Sequence, residues 1–367
     1  MSVQTSLITE PAALADLTAK VAEAPWIALD TEFTRVRTYY ARLGLVQIAT
    51  TGEIACVDPL ALDIEPLLEA LYAPRSLKIL HAARQDLEVF YDRRGSVPVP
   101  LFDTQIAAAL VGHPEQIAYA SLVEALAGVK LPKLHTRTDW EARPLSTEQL
   151  HYAQDDVRFL GALYEELAAE LDRRGRAAWL EEECRALADA ALYANDPAVA
   201  YQRIKGGHML TPAGQARLKR LAEWRERTAK SRDLPRGWVA PDNVLIDLAR
   251  SAPTDRAALA RVRGVTPAVV RTHGEALLDL LHADGKEPGE KLWSDPRPPT
   301  AEEQALLRRL QARVEEAATD AGVAPAVVGG RRAVLELMRG GGGPLARGWR
   351  RTLVGHELIG ILAGTAA

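Results

Sequence analysis

Cysteine is nearly absent. Cys56 and Cys184 are the only two in 367 residues, and they stand far apart, in no CxxC or Cys/His spacing. Neither a disulfide framework nor a zinc site is expected. There is no excess of basic charge: 45 Lys and Arg face 49 Asp and Glu, a formal net charge of -4. Any surface for a polyanion must then be a local patch. No apolar run approaches the ~18 residues of a membrane span. The first residues lack a basic stretch followed by an apolar one, so no signal peptide is expected. A soluble, cytoplasmic protein without membrane contact is the expectation, and the length suggests two or three domains.

What is present is an α/β alternation followed by helices. Trp26–Asp30, Leu43–Thr50, Glu53–Asp58 and Leu77–His81 read as strands, and Thr51-Gly52 joins the second and third as a hairpin. Asp63–Tyr72, Arg84–Arg94, Thr104–Val111 and Ser121–Ala127 read as helices. A mixed α/β domain with a partly antiparallel sheet follows. After Ser146 the strand signals stop. Ser146-Thr147-Glu148 supplies cap-type residues, Glu148–Leu171 is a long helical pattern, and Arg176–Ala194 is another. Beyond them lie helices separated by Pro and Gly, with a linker at Asp284–Pro299. Three segments are expected: 1–200, 201–286 and 287–367, the last two being related small helical modules.

Asp30-Thr31-Glu32 closes the apolar run of the first strand, and two carboxylates two residues apart point to the same face of a strand. Like charges so placed repel unless a cation lies between them, and a hard divalent ion prefers such oxygen ligands. Acidic pairs at strand ends are as often solvated loop residues. Asp86 falls in the first turn of the next helix, where the helix N-terminus alone would favour it. Asp103 has the character of an N-cap. Tyr152 and Asp156, four apart, are neighbours on one helix face.

The order Asp-x-Glu, Asp, then Tyr-x-x-x-Asp resembles the three motifs of the DEDD exonucleases, in the tyrosine subgroup. Leu29–Phe33, Arg37–Tyr40, Leu43–Gln47, His81-Ala82, Asp86–Phe90, Asp103–Gln105, Arg137–Trp140 and Arg143–Leu145 are similar, in colinear order, to the ribonuclease D family. Leu221–Glu226, Arg232–Pro235, Val239, Leu245 and Leu248-Ala249 resemble the paired HRDC modules of that family, the second module matching poorly. The resemblance implies a ribonuclease H-like α/β exonuclease domain with a mixed sheet, followed by two small all-α HRDC-like modules. It implies 3′-to-5′ hydrolysis of RNA, releasing nucleoside 5′-monophosphates.

Two Mg²⁺ or Mn²⁺ ions about 3.5–4 Å apart can clamp the attacking and leaving oxygens of a phosphodiester. Asp30, Glu32, Asp86 and Asp156 are the expected ligands, with Asp30 shared by both ions and Asp86 acting through the outer ion's hydration shell. Tyr152 is expected to orient the attacking water. His151, five residues before Asp156, is the competing candidate. On a helix i+4 lies about 40° away and i+5 about 140° away, which favours Tyr152. Arg37, Tyr39, Tyr40, Gln47, His81, Arg137, Trp140 and Arg143 are the expected substrate contacts, since cations mixed with aromatics suit phosphates and stacked bases. Tyr39 and Tyr40 could equally pack under a loop. Trp224 reads as core. The expected partner is RNA with 3′ overhangs, such as tRNA precursors, and the expected state a monomer. The alternatives are a DNA 3′-5′ exonuclease and an inactive nucleic-acid-binding scaffold. The helical modules would add only remote contacts, so removing residues beyond about Ala200 should weaken binding to structured RNA more than the cleavage of short single strands.

Overall fold

The computed structural model describes residues 6–132, 138–283, 292–293 and 299–365. Its contacts divide the chain into two units. The first comprises residues 1–34, 43–193 and 299–367, and the second residues 35–42 and 194–298.

The first unit is built on a six-stranded sheet: β1 (Ser6–Ile8), β2 (Trp26–Thr34), β3 (Arg42–Ala49), β4 (Ile54–Val57), β5 (Leu77–Leu80) and β6 (Leu101–Asp103). The strand order is β1-β4-β3-β2-β5-β6. The hairpin partners β3 and β4 are antiparallel, while β1–β4, β2–β5 and β5–β6 are parallel. The sheet is thus mixed, as expected. β1 and β6 are three residues long, too short to leave a period in the sequence, and α1 (Pro11–Glu23) likewise went unread.

Helices α2 (Glu65–Tyr72), α3 (Arg84–Arg94), α4 (Thr104–Leu110) and α5 (Tyr119–Ala127) follow the expected order. Fully buried Lys78 on β5 donates to the carbonyls of Ala73, Ser76 and Val99 at 2.6–2.8 Å, tying the approach to β5 to that of β6. The long helical pattern beginning near Glu148 is two helices, α6 (Thr147–Arg158) and α7 (Leu160–Arg173), broken at Phe159. Ser146 caps α6 in a capping box with Gln149. α8 (Ala177–Leu187) completes this stretch.

Residues from Pro299 onward pack into the core of this same unit. Leu307, Leu310, Val314 and Ala318 of the helix Ala301–Ala321 share one apolar cluster with Leu110, Leu163, Leu167 and Leu180. Trp349 stacks on Trp179 with ring centroids 4.3 Å apart, and its indole N–H donates to Glu183 at 2.7 Å. A helix with one apolar face reads the same in sequence whether it packs within its own module or on a neighbour.

The second unit is helical. α9 (Pro212–Arg232) and the helices Asp242–Ser251 and Pro267–His282 enclose Leu218, Leu221, Leu245, Leu248, Leu277 and Leu281. Trp224 packs against this core. The loop Arg35–Arg42, which leaves β2 and returns to β3, belongs here. Tyr39 lies among Ala229 and Val239, and its backbone N–H and that of Tyr40 both donate to Asp233 at 3.0 Å.

Candidate active site

β2 carries Asp30 and Glu32 partly exposed, with Thr31 buried between them, the alternation of a strand. α6 brings Asp156 to the same place. One carboxylate oxygen from each of Asp30, Glu32 and Asp156 lies within 4.8 Å of the others. Asp86, in the first turn of α3, lines the same cavity. It is held by Thr31, whose backbone N–H and hydroxyl both donate to Asp86 Oδ1, at 3.1 and 2.5 Å. The cavity, about 440 Å³, is also lined by His81, Tyr119 and Tyr152.

The electrostatics reflect four acids gathered without a counter-charge among the described residues. Burial, together with the charges of Asp86, Asp156 and Glu32, pushes Asp30 well above the usual carboxylate range. Burial and its neighbours raise Glu32 to about 8, Asp156 to about 7 and Asp86 to about 6. Oxygen-only donors that cannot all ionise alone at neutral pH fit a hard divalent cation.

Tyr152 lines the cavity and shares a hydrogen bond with Asp156. Burial and the surrounding carboxylates raise its pKa, so the hydroxyl keeps its proton. His151 is exposed and does not line the cavity. Asp155, beside Asp156, instead pairs with Arg158 at 2.8 Å.

Several residues expected to touch substrate are placed elsewhere. Trp140 is buried at 6% exposure and stacks on Tyr152, centroids 6.2 Å apart. A Cβ at Gly44 would lie 2.7 Å from the Trp140 carbonyl oxygen, so only glycine admits this approach. Arg143 makes five hydrogen bonds inside the protein, two to Asp58 at 2.6 and 2.7 Å and three to the carbonyls of Gly44, Trp140 and Ala142. Burial alone would raise Asp58; the Arg143 guanidinium together with the Leu60 and Ala61 N–H groups outweighs it and holds the carboxyl below its ordinary value. Trp140 and Arg143 therefore support Tyr152, and no guanidinium donor remains for phosphate.

Gln47 is fully buried in β3 and reaches no solvent. Tyr39 is 7% exposed, and its hydroxyl bonds with Glu226 and Arg236 of the helical unit. Tyr40 packs edge-on against Tyr39 in that unit, while Arg37 is exposed there. Arg137 lies outside the described residues. Of the expected contacts placed in the first unit, His81 alone lines the cavity. Its ring nitrogens are 2.9 Å from Thr104 Oγ1 and 3.0 Å from the Ile117 carbonyl oxygen.

The sequence reading missed Thr31 and Tyr119. Their roles are long-range hydrogen bonds, which leave no spacing to find. The Tyr119 hydroxyl donates to the Asp155 carbonyl at 2.8 Å and accepts from the Phe159 N–H at 3.3 Å, at the α6–α7 break.

A 3′-5′ exonuclease family matches residues 5–172, and the HRDC domain matches residues 214–281. Ribonuclease D of Pseudomonas paraeruginosa is 38% identical over 97% of this chain and 96% of its own length. That of Acidiphilium cryptum is 36% identical, over 98% and 94%. The chain belongs to the ribonuclease D family. It is accordingly a 3′-5′ exoribonuclease, with a DEDD exonuclease domain followed by an HRDC helical domain. The solved structure of Escherichia coli RNase D, an exoribonuclease involved in structured RNA processing, covers 99% of both chains at 33% identity, with a TM-score of 0.87. The catalytic core of RRP6 from Trypanosoma brucei is 25% identical with a TM-score of 0.59, covering 76% of this chain and 79% of that one. Among the described residues no helix is long and apolar enough to cross a membrane.

Proposed function

We propose that the chain trims RNA 3′ ends by two-metal hydrolysis, releasing nucleoside 5′-monophosphates, with Asp30, Glu32, Asp86 and Asp156 holding two Mg²⁺ or Mn²⁺ ions. The convergence of three ligand oxygens within 4.8 Å, beside Asp86 and Tyr152, carries this reading. When bound, such ions neutralise the phosphodiester and make water nucleophilic at neutral pH. Asp30, on which the charges of Asp86, Asp156 and Glu32 all act, would be shared by both ions. Glu32 and Asp156 would help hold the ion that activates water, and Asp86 would act through the hydration shell of the other. Tyr152 keeps its proton and positions the attacking water. The substrate class is RNA with a 3′ overhang, tRNA precursors included, processed by a cytoplasmic monomer. The exposed Arg37 and the arginines of the helical unit are the assigned backbone contacts. Residues 287–367 are assigned as a second, divergent HRDC-like module, of which the part from Pro299 onward packs in the nuclease unit.

The test is purified protein on matched RNA and DNA 3′ overhangs, with Mg²⁺, Mn²⁺ or EDTA. RNA should be shortened from its 3′ end with either metal and left intact in EDTA. Asp30→Asn should lose on the order of 10²–10³-fold in turnover while keeping its fold. Normal turnover by a folded Asp30→Asn protein would remove the metal assignment.

A further inference from the structure

An unbroken helix through Phe159 would bond its N–H to the Asp155 carbonyl, four residues back. Here the Tyr119 hydroxyl occupies the space between those two groups, donating to one and accepting from the other. Insertion of a side chain into the helical ladder is a recognised cause of a break. The break lies three residues after Asp156 and seven after Tyr152.

The packing on each side shows what the break permits. Before it, Ala153 and Val157 of α6 are fully buried. After it, Gly161 presses on the ring of Trp26, where a Cβ would lie 2.4 Å from the nearest ring carbon. Leu160, Leu163, Leu167 and Leu171 fix α7 in the core. The two helices are thus docked independently, and the peptide groups opened between them need partners. Tyr119 bonds to both with one oxygen, the Phe159 N–H also reaching the Val157 carbonyl.

Tyr119 is itself held. His81 Nε2 faces the Ile117 carbonyl at 3.0 Å, and Gln105 Nε2 donates to the same oxygen at 3.0 Å. The His81 ring meets that of Tyr119 edge-on, centroids 5.6 Å apart. Thr104 Oγ1 at 2.9 Å from Nδ1 sets the other side of His81.

We infer that Tyr119 is a positioning residue for hydrolysis: its hydroxyl holds α6 and α7 apart and thereby sets where Asp156 and Tyr152 present their oxygens. His81 and Gln105 keep Tyr119 in place. The inference rests on the metal-hydrolysis reading and adds to it a residue outside the motif spacing. No substrate contact by Tyr119 is required.

The test is Tyr119→Phe, which keeps the ring in the cavity wall and removes only the oxygen between the two peptide groups. With that oxygen gone, Asp155 and Phe159 close on each other and α6 rotates. Turnover of a short RNA at saturation should fall about tenfold, and the half-saturating Mn²⁺ concentration should rise by a similar factor, the usual size of a supporting-shell effect. The KM for RNA should stay within about twofold. Calorimetric titration of the protein with Mn²⁺, without RNA, should show the same weakening. Assays are run well below the melting temperature of each variant. His81→Asn, which loses the ring contact and the reach to Ile117, should move turnover and Mn²⁺ affinity in the same direction. If folded Tyr119→Phe keeps wild-type turnover and Mn²⁺ affinity, Tyr119 merely supports the fold and the inference is wrong. A raised KM with unchanged turnover would overturn it too, by making Tyr119 a substrate contact. An active Asp30→Asn protein would sink the metal reading itself, a separate outcome.

Discussion

The two units differ in charge as sharply as in architecture. Residues 1–34, 43–193 and 299–367 hold 24 Lys and Arg against 36 Asp and Glu. Residues 35–42 and 194–298 hold 21 against 13. The whole-chain charge of -4 is therefore the sum of an acidic nuclease and a basic helical unit. The acidic unit can receive a polyanion only with cations in its carboxylate cluster, whereas the basic unit is suited to phosphate on its own. The units also treat buried acid differently. In the helical unit, burial of Glu226 is outweighed by hydrogen bonds from Arg236 and Tyr39, and its pKa falls. In the nuclease the clustered acids have no cationic partner among the described residues, and theirs rise.

Cutting the chain should affect the two units most unequally. Ending it at residue 298 removes Leu307, Leu310, Val314 and Ala318 from the nuclease core and leaves the helical unit's residues intact. Cleavage of short single strands and of structured RNA should both be lost, with aggregation or low solubility. This departs from the expectation that residues beyond about Ala200 add only remote contacts, because those from Pro299 onward belong to the nuclease core. Leu310→Ala, a gentler probe, should cost about 2–5 kcal/mol of nuclease stability. A soluble 1–298 protein that still shortens oligonucleotides would show that the C-terminal residues are dispensable to the nuclease.

What the sequence could and could not reveal follows from range. Asp30-Thr31-Glu32 and Tyr152–Asp156 carry their meaning in local spacing, and the structure brings those residues to one cavity. Asp86 stood in a helix first turn with a sufficient local reason to be there, and only the order of the motifs singled it out. Burial is not local. Gln47, Trp140 and Arg143 have the residue types of substrate contacts, but β3 buries the first, Tyr152 covers the second and Asp58 claims the third. Phe159 sits inside an unbroken helical pattern, and the tyrosine that breaks the helix lies forty residues away. The apolar stripe of Ala301–Ala321 was legible, while the surface it covers was not.

Within the nuclease, neighbouring residues of α6 differ in whether they reach the cavity. Tyr152→Phe keeps the ring stacked on Trp140 and deletes the hydroxyl beside Asp156. Turnover should fall by one to three orders of magnitude, about the loss when a positioned catalytic group is removed. RNA affinity should barely change, because binding groups of the basic unit are untouched. His151→Ala should stay within a few-fold of wild type, since His151 is exposed and off the cavity. Rate measurements on a 3′-tailed oligonucleotide decide it: a dead His151→Ala with an active Tyr152→Phe would reverse the assignment.

The smallest effect is a pH slope of opposite sign in the two units. Unfolded carboxylates titrate near 4. In the folded, metal-free nuclease Glu32 titrates at about 8, Asp156 at about 7 and Asp86 at about 6. Between about pH 4 and 8 the folded state thus binds more protons than the unfolded one, so stability falls as pH rises through that window. In the helical unit the folded pKa of Glu226 is lowered, and burial lowers that of His273. There the unfolded state binds more protons, and stability is lost as pH falls. In EDTA, the melting temperature of the nuclease transition should drop by a few degrees from pH 5.5 to 8.5, each kcal/mol being worth about 2–4 °C in a unit of this size. Mn²⁺ at saturating concentration should raise that transition more at pH 8.5 than at 5.5, because protons compete for the same oxygens. Asp30→Asn should flatten the slope in EDTA, since one repelling charge is gone. Calorimetric scans that resolve the two transitions provide the check. A nuclease transition that climbs with pH in EDTA would mean that the four carboxylates already have a counter-charge within the protein, and that the cluster does not need a metal to exist.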